Sequence, residues 1–238
     1  MANLLRIENW SVGFGPREVL KNISASLSSP ELVVIMGLNG SGKTTLMKSL
    51  GGFIPVQKGK ISIGNESVSD LSPQQLAQKM AVVFTSMEGA NDLKVHEFVA
   101  LGRSPYLSWS GKLTEQDELA IQEAIESVGL AGFEQRLVAT LSDGEKKRAN
   151  IARALAQDTP IILLDEPSSH LDIKGKKMLF DLLSELKQHK LLIVISHEWE
   201  LSKQHANRIW LLEKGQLLEY PQNEINDSIV DKHFGLES

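Results

Sequence analysis

The chain has 238 residues, a formal net charge of −5 at pH 7 and no cysteine. This length suits one large α/β domain or two small ones. The negative charge argues against a protein whose main task is to bind the nucleic acid backbone, which needs a basic face. Without cysteine, disulfides, thiolate metal sites and cysteine nucleophiles are excluded.

The amino-terminal residues contain no apolar run long enough for a signal peptide, and an acidic residue appears early. The longest aliphatic runs elsewhere have about five residues, far short of the ~20 that span a bilayer. We therefore expect a soluble, cytoplasmic protein. Clusters of basic residues, such as residues 146–148, interrupt helical patterns, and we interpret them as solvated helix faces.

Alternating apolar residues between positions 4 and 27, with a turn at residues 13–16, predict a small antiparallel sheet. Phe14 lies at this turn and precedes the glycine-rich stretch described next. Its ring could stack on an adenine, although an aromatic residue at strand spacing is more often part of a core. The residue alone leaves both interpretations open.

Residues 37–45, Gly-Leu-Asn-Gly-Ser-Gly-Lys-Thr-Thr, match the phosphate-binding pattern G-x-x-x-x-G-K-[ST] without a mismatch. An apolar run at residues 32–36 predicts a buried strand before it, and apolar spacing at residues 44–50 predicts a helix after it. The glycines allow backbone N–H groups to face phosphate oxygens, and the helix N-terminus adds its positive end. Lys43 would reach the β- and γ-phosphates, and the Thr44 hydroxyl would hold Mg²⁺.

The pattern then alternates between strands and helices. Strands are predicted at residues 60–63, 80–84, 161–164, 191–195, 209–212 and 216–220, and helices at 72–79, 176–186 and 199–205. Residues 95–157 lack a buried-strand run and predict a helical insertion, with a capping box at Thr114 and Asp117. Strands joined by helices predict a doubly wound, parallel sheet.

Polar residues follow two of these predicted strands. Asp165 and Glu166 come after residues 161–164, and His197 comes soon after residues 191–195. Ligands bind at the carboxyl ends of such strands. Asp165 suits a Mg²⁺ partner, Glu166 suits a base that polarises an attacking water, and the ring nitrogens of His197 could contact phosphate.

Residues 141–145, Leu-Ser-Asp-Gly-Glu, support two interpretations. Ser142 and Glu145 form a capping box, so an ordinary helix start explains them. A serine hydroxyl, a glycine backbone and a helix N-terminus also make a second phosphate-binding surface. Two such surfaces in one chain suggest a nucleotide shared between two copies.

In their order and spacing, residues 37–45, 141–148, 161–167, 169–172 and 196–197 resemble those of the ATP-binding subunit of an ABC transporter. The resemblance covers nearly the whole chain. It implies an α/β P-loop NTPase with a mostly parallel central sheet, an N-terminal antiparallel β subdomain and an inserted α-helical subdomain. We expect a single domain over residues 1–238, with the helical subdomain at about 86–158 and a short C-terminal extension at 222–238.

The resemblance also implies a function. Two subunits sandwich two ATP molecules with Mg²⁺, hydrolyse them and power an integral membrane permease, to which a substrate-binding protein delivers cargo. We expect no nucleic acid partner and a location on the inner face of the cell membrane. The implied nucleotide-binding residues are Phe14, Gly37, Asn39, Gly40, Ser41, Gly42, Lys43, Thr44 and Thr45.

Further roles follow from the family pattern. Glu166 and His197 are the implied catalytic residues, His197 as the γ-phosphate sensor, and Thr44 and Asp165 are the implied metal ligands. Asp172 is expected in a loop across the dimer interface. The signature segment that would contact the partner's nucleotide is formed by Ser142, Asp143, Gly144 and Glu145.

Residues 99–106, Val-Ala-Leu-Gly-Arg-Ser-Pro-Tyr, resemble the subgroup that imports ferric siderophores, haem and vitamin B12. Two departures from the family pattern stand out. Thr85 occupies the coupling-loop position that usually carries glutamine. Asp143 and Glu145 add negative charge to a segment that usually reads Leu-Ser-Gly-Gly-Gln. Repulsion from phosphate would weaken closure on ATP unless Lys146 or the helix dipole offsets it.

Three other classes of protein fit the sequence less well. A soluble ABC-type ATPase acting in assembly, repair or translation often has tandem domains or long inserted coils, and this chain has neither. A GTP-binding switch or a kinase fits poorly, because no Asn-Lys-x-Asp sequence occurs. A zinc hydrolase fails at His197, because position 201 is leucine rather than the second histidine of His-Glu-x-x-His.

Overall fold

The computed structural model describes residues 4–15, 17–84, 90–108 and 111–234 of the chain. Within these ranges there are ten strands and eight α-helices. The strands are β1 (Leu5–Phe14), β2 (Arg17–Leu27), β3 (Leu32–Gly37), β4 (Lys58–Ile63), β5 (Glu66–Ser67), β6 (Met80–Val83), β7 (Ile161–Asp165), β8 (Leu191–Ile195), β9 (Arg208–Glu213) and β10 (Gln216–Pro221). The helices are α1 (Lys43–Leu50), α2 (Pro73–Ala77), α3 (Val95–Ala100), α4 (Glu115–Ser127), α5 (Asp143–Ala156), α6 (Ile173–Leu186), α7 (Trp199–His205) and α8 (Asp227–Phe234).

A six-stranded sheet in the order β10-β9-β3-β8-β7-β6 forms the centre of the chain. Every neighbouring pair is parallel except β9 and β10, which are joined by a tight turn. Every residue of β3, β7 and β8 is buried, as expected of strands covered on both faces. The prediction of a mostly parallel α/β sheet is therefore confirmed.

The N-terminal strands form a separate antiparallel sheet in the order β2-β1-β4-β5. Residues 58–63 join this sheet, with Leu5 opposite Ile63, rather than the central one. The apolar face of this sheet and α1 cover one side of the central sheet, where Val33 and Ile35 point. Helices α3 to α6 cover the other side, where Leu32 and Val34 point. The side chains of β3 alternate between these two clusters, because successive strand residues face opposite ways.

The helical segment between β6 and β7 contains α3, α4 and α5, with a 3-10 turn at Leu101–Tyr106. A buried ion pair fixes this turn to α4, because Arg103 Nε donates to Asp117 Oδ1 at 2.7 Å. Arg103 Nη1 also donates to the carbonyl of Ala156 at the end of α5. The backbone N–H and hydroxyl of Thr114, with Arg103, hold the pKa of Asp117 at about 2. The predicted capping box at Thr114 is present.

Helix α6 begins at Ile173, three residues before the predicted start at 176. Asp172 explains the earlier start, because its Oδ1 accepts the N–H of Gly175 at 2.7 Å and caps the helix. None of the helices in the described ranges is both long and apolar enough to span a lipid bilayer.

Helix α8 contacts α7 and the β9–β10 hairpin. Asp227 accepts hydrogen bonds from Trp199 Nε1 at 3.0 Å and Lys203 Nζ at 2.8 Å. At the other end of α8, the His233 ring lies 2.8 Å from the Tyr220 hydroxyl and 2.7 Å from a Glu213 carboxylate oxygen. The helix is therefore attached through polar contacts at both ends.

Candidate active site

The glycine-rich loop joins β3 to α1 and requires glycine at specific positions. Gly40 and Gly42 have φ values of 80° and 103°, which L side chains rarely adopt. A Cβ on Gly42 would lie 2.9 Å from Leu20 Cδ2. Gly42 is also the N-cap of α1 and supplies no side-chain hydrogen bond to the first helical N–H groups.

Two features of this loop fit a group rich in acceptor oxygens. The N-terminus of α1 has N–H groups without a side-chain cap, a geometry that phosphate satisfies. Ser41 Oγ is buried and has no hydrogen-bond partner within the described part of the chain. Buried polar atoms normally have partners, so this one fits a bound oxygen-rich ligand.

Lys43 is the first residue of α1 and arches back over the loop. Its Nζ donates to the carbonyl oxygens of Gly37 at 2.8 Å and Leu38 at 3.1 Å. Burial lowers the pKa of Lys43, while the nearby carboxylates of Glu166 and Asp165 act in the opposite direction. The lysine ammonium therefore lies at the loop, facing the acids at the end of β7.

A cleft of about 860 Å³ is lined by residues from the end of β1, from α1 and from the end of β7. Thr44, Thr45 and Asp165 line it together with Phe14, and 56% of the surface of Phe14 is exposed. An exposed aromatic ring and a cluster of polar groups within one cleft suit a ligand with an aromatic part and a charged part. Asn39, Gly40 and Ser41 line a separate cavity of about 390 Å³, beside the β9–β10 turn.

Asp165 and Glu166 lie at the carboxyl end of β7. Asp165 is 7% exposed, and burial raises its pKa, with the Glu166 charge adding to the effect. Glu166 has a left-handed backbone with φ of 48°, and its N–H donates to the Ile195 carbonyl at 3.1 Å. Its Oε1 lies 3.1 Å from His197 Nε2. The ends of the adjacent strands β7 and β8 thus bring together the two residues expected to be catalytic.

The signature segment forms the start of α5. Ser142 Oγ accepts the N–H of Glu145 at 3.3 Å, and the N–H of Ser142 donates to Glu145 Oε2 at 2.7 Å. This backbone contact, with Arg136 and Arg148 nearby, lowers the pKa of Glu145. The Glu145 charge is therefore directed onto its own helix end. Neither of the two cavities beside the glycine-rich loop is lined by residues 142–145.

Two further sites of the sequence-based predictions have different outcomes. Asp172 caps α6 and lies two residues after His170, whose φ is 63°. Its expected role at a dimer interface stays a prediction. Thr85 lies outside the described residues.

One functional candidate is absent from the sequence-based predictions. Lys147 lies in the basic cluster at residues 146–148, which we interpreted as a solvated helix face. That interpretation is wrong for Lys147, because its Nζ contacts the Ser169 hydroxyl and lies 3.4 Å from the Glu166 carbonyl oxygen. Three residues later, Asn150 Nδ2 donates to the Phe84 carbonyl at 3.2 Å. The three-residue spacing of Lys147 and Asn150 on α5 is the sequence signal that places both on one face of the helix.

Comparison with known proteins identifies the family of this chain. The sequence profile of the ABC transporter family matches residues 20–169. An uncharacterized ABC transporter ATP-binding protein of Methanocaldococcus jannaschii is 35% identical, over 99% of this chain and 82% of its own. The petrobactin import ATP-binding protein FpuD of Bacillus anthracis is 30% identical, over 100% of this chain and 88% of its own.

A solved structure is similar over nearly the whole chain. It is the dimeric structure of a post-hydrolysis state of an ATP-binding cassette bound to ADP and Pi, with 28% identity and a TM-score of 0.79, and it covers 92% of this chain and 98% of its own. The family profile, the relatives and the solved structure agree on the family of this chain. The chain therefore belongs to the ABC transporter family as an ATP-binding subunit, and it is an ATPase.

Proposed function

We propose that two copies of this chain bind two ATP molecules between them, hydrolyse them with Mg²⁺ and drive import through a separate membrane permease. The observation that carries the proposal is the contact between Glu166 and His197 at the ends of β7 and β8. Asp165 precedes Glu166 in the chain, and the charges of both acids act on Lys43. General bases and groups that contact phosphate are needed together at the reacting phosphate.

The triphosphate is bound by the loop and the start of α1. The uncapped N–H groups of α1 and the buried Ser41 hydroxyl supply donors to its oxygens, and Lys43 supplies positive charge. The exposed Phe14 ring lines a cleft with Thr44 and Thr45 of α1, and it is available to stack on the adenine.

Thr44 and Asp165 fit a magnesium ion, because both line this cleft and supply the hydroxyl and carboxylate oxygens that Mg²⁺ prefers. When bound, Mg²⁺ neutralises charge on the phosphate oxygens. The raised pKa of Asp165 reflects a buried carboxylate next to Glu166, an environment in which a cation is favourable.

Glu166 is the proposed base. Its carboxylate accepts a proton from the attacking water, while His197 holds the carboxylate and contacts the γ-phosphate. The backbone of Glu166 is anchored to β8 through its N–H, which fixes the carboxylate relative to His197. Proton removal of this kind contributes about 10²–10⁴ in rate.

A second copy would complete the site. The start of α5 carries an exposed Ser142 and a helix N-terminus, which suit the γ-phosphate of a nucleotide held by the partner. The dimeric relative bound to ADP and Pi supports this arrangement. Because the charge of Glu145 is directed onto the Ser142 N–H, the repulsion expected from this residue is reduced.

The proposed cargo is an iron-siderophore, haem or cobalamin, delivered to the permease by a substrate-binding protein. The petrobactin import relative and the resemblance of residues 99–106 to this subgroup support the proposal. The subunit would then lie on the inner face of the cell membrane, attached to the permease.

Two variants and one purification test the proposal. Glu166→Gln keeps the shape of the side chain but cannot accept the proton, so it should bind ATP, form a stable dimer and lose at least 10²-fold in kcat. Lys43→Ala should lose ATP binding itself. Glu166→Gln with the turnover of the wild type would disprove the assigned base. Purification from native membranes should recover an integral membrane protein with the chain, whereas recovery of a soluble complex alone would favour a permease-independent ABC-type ATPase.

A further inference from the structure

One face of the signature helix α5, continued by its C-cap residue Gln157, carries a row of polar side chains that bond to backbone carbonyls of β6 and of the residues just after β6 and β7. Residues three or four apart lie on the same side of a helix, so these side chains form a stripe. Its contacts are Lys147 to the carbonyl of Glu166 (3.4 Å), Asn150 to that of Phe84 (3.2 Å), Arg153 to that of Val82 (3.5 Å) and Gln157 to that of Met80 (3.2 Å).

The first member of this stripe reaches the segment that carries the proposed base. Glu166 has a left-handed backbone, which is strained for a residue with a side chain. Its carbonyl accepts from the N–H of Ser169 at 3.2 Å, the hydroxyl of Ser169 at 2.9 Å and Nζ of Lys147 at 3.4 Å. A strained backbone conformation persists only where the surrounding structure stabilises it, and these three hydrogen-bond donors contribute to that stabilisation.

The position of Lys147 is also unusual for a charged side chain. The side chain is half-buried, and burial lowers its pKa, whereas the negative charge of Glu166 favours the ammonium form, with a smaller effect from Asp143. A lysine retained in this setting costs desolvation, and the carbonyl and hydroxyl it contacts offset that cost. An exposed lysine on a solvated helix face would make none of these contacts.

We propose that Lys147 is a positioning residue for Glu166. Its ammonium group ties the loop after β7 to the signature helix, and thereby keeps the Glu166 carboxylate on His197. The start of α5 would face the partner's nucleotide, so Lys147 connects the segment that senses one ATP to the base that hydrolyses the other. The inference rests on the proposed function of Glu166.

The test compares steady-state ATP hydrolysis by the full chain and three lysine variants. Lys147→Met removes the ammonium but keeps the length of the side chain. Lys147→Arg keeps the positive charge and N–H donors. Lys177→Met is the matched control, because Lys177 is an exposed lysine of α6 for which the described part of the chain shows no hydrogen bond or ion pair.

Lys147→Met should lower kcat by about 10- to 100-fold, because small displacements of a catalytic group have effects of this size. Its KM for ATP should stay within about twofold, because Lys147 does not line the cleft beside the glycine-rich loop. Lys147→Arg should recover most of the loss in kcat, and Lys177→Met should match the wild type. Circular dichroism and thermal unfolding verify that each variant is folded.

Three outcomes would overturn the inference. The first is Lys147→Met with a kcat within twofold of the wild type. The second is a fall in kcat matched by a rise in KM. The third is Lys147→Arg as inactive as Lys147→Met with a similarly lowered Tm, because that result indicates a packing role. Glu166→Gln, measured in parallel, distinguishes a failure of the role proposed for Lys147 from a failure of Glu166 as the base. If it is inactive and Lys147→Met is normal, only the role of Lys147 fails. If it turns over normally, the proposed base fails and the inference with it.

Discussion

The buried ion pair between Arg103 and Asp117 gives a quantitative prediction for Asp117→Asn. In the wild type, Asp117 Oδ1 accepts from Arg103, and Oδ2 accepts from the N–H of Thr114 at 2.9 Å and its hydroxyl at 2.7 Å. An asparagine has one oxygen and turns its NH₂ group towards a donor on the other side. The substitution therefore leaves either the guanidinium or the Thr114 N–H without an acceptor.

The loss of stability in Asp117→Asn can be estimated in two ways. The lowering of the Asp117 pKa from 3.8 to about 2 corresponds to about 2 kcal/mol of stabilisation. Removing one partner of a buried pair costs roughly 3–5 kcal/mol. We expect Asp117→Asn to lose about 2–4 kcal/mol of unfolding free energy at pH 7, measured by urea denaturation.

The pH dependence follows from the sign of the pKa shift. An acid whose pKa is lowered by folding contributes its full stabilisation above its unfolded pKa of about 4, and loses it as the pH falls towards about 2. The difference in unfolding free energy between the wild type and Asp117→Asn should thus be constant from pH 8 to pH 5 and become smaller only below about pH 4. A difference that already shrinks between pH 8 and pH 6 would contradict the assignment.

Asp158→Asn is the matched control. Asp158 lies 2.8 Å from Lys190 Nζ, but 71% of its side chain is exposed, and such pairs contribute about 0–1 kcal/mol. Equal losses in the two variants, or a loss under about 1 kcal/mol at Asp117, would refute the reasoning that burial determines the value of this ion pair.

Two further predictions concern the contacts of α5. In Gly102→Ala the new Cβ would lie 2.1 Å from the carbonyl oxygen of Arg153, a backbone atom that cannot move aside, so we expect a loss of at least about 1–3 kcal/mol and a lower Tm. A variant with the Tm of the wild type would contradict the close approach. Glu145→Ala removes the acceptor of the Ser142 N–H and a negative charge at the helix N-terminus, which should cost about 0.5–1 kcal/mol in urea denaturation at pH 7. Because the pKa of Glu145 is lowered in the folded chain, this difference should be lost as the pH falls below about 4, and a difference that grows there would refute it.

Much of the fold could be predicted from the sequence, because strands buried on both faces are continuous apolar runs. Residues 32–36, 161–164 and 191–195 show this pattern, and each lies in a central strand. Strand order depends on pairing between distant residues, which local patterns do not contain. For this reason the placement of residues 58–63 beside β1 in the antiparallel sheet was not predictable.

The same distinction applies to the site. The proximity of Glu166 and His197 could be predicted, because the carboxyl ends of parallel strands meet at one edge of a sheet. The burial of Lys147 could not, because a basic triplet on a helix is usually solvated and its acceptor is a backbone carbonyl. Ser142 and Glu145 fit both a helix cap and a phosphate site, and the structure shows the cap.

The polar stripe of α5 has a consequence for how sequences of this fold can diverge. Its acceptors, on β6 and just after β6 and β7, are backbone carbonyls, which every residue type possesses. These polar contacts therefore do not depend on which side chains the strands carry, provided that the backbones keep the same path. A helical segment transplanted from a relative should find these acceptors in place if it retains donors at positions 147, 150, 153 and 157. Side chains of the strands can thus change while the polar connection to the helix is preserved.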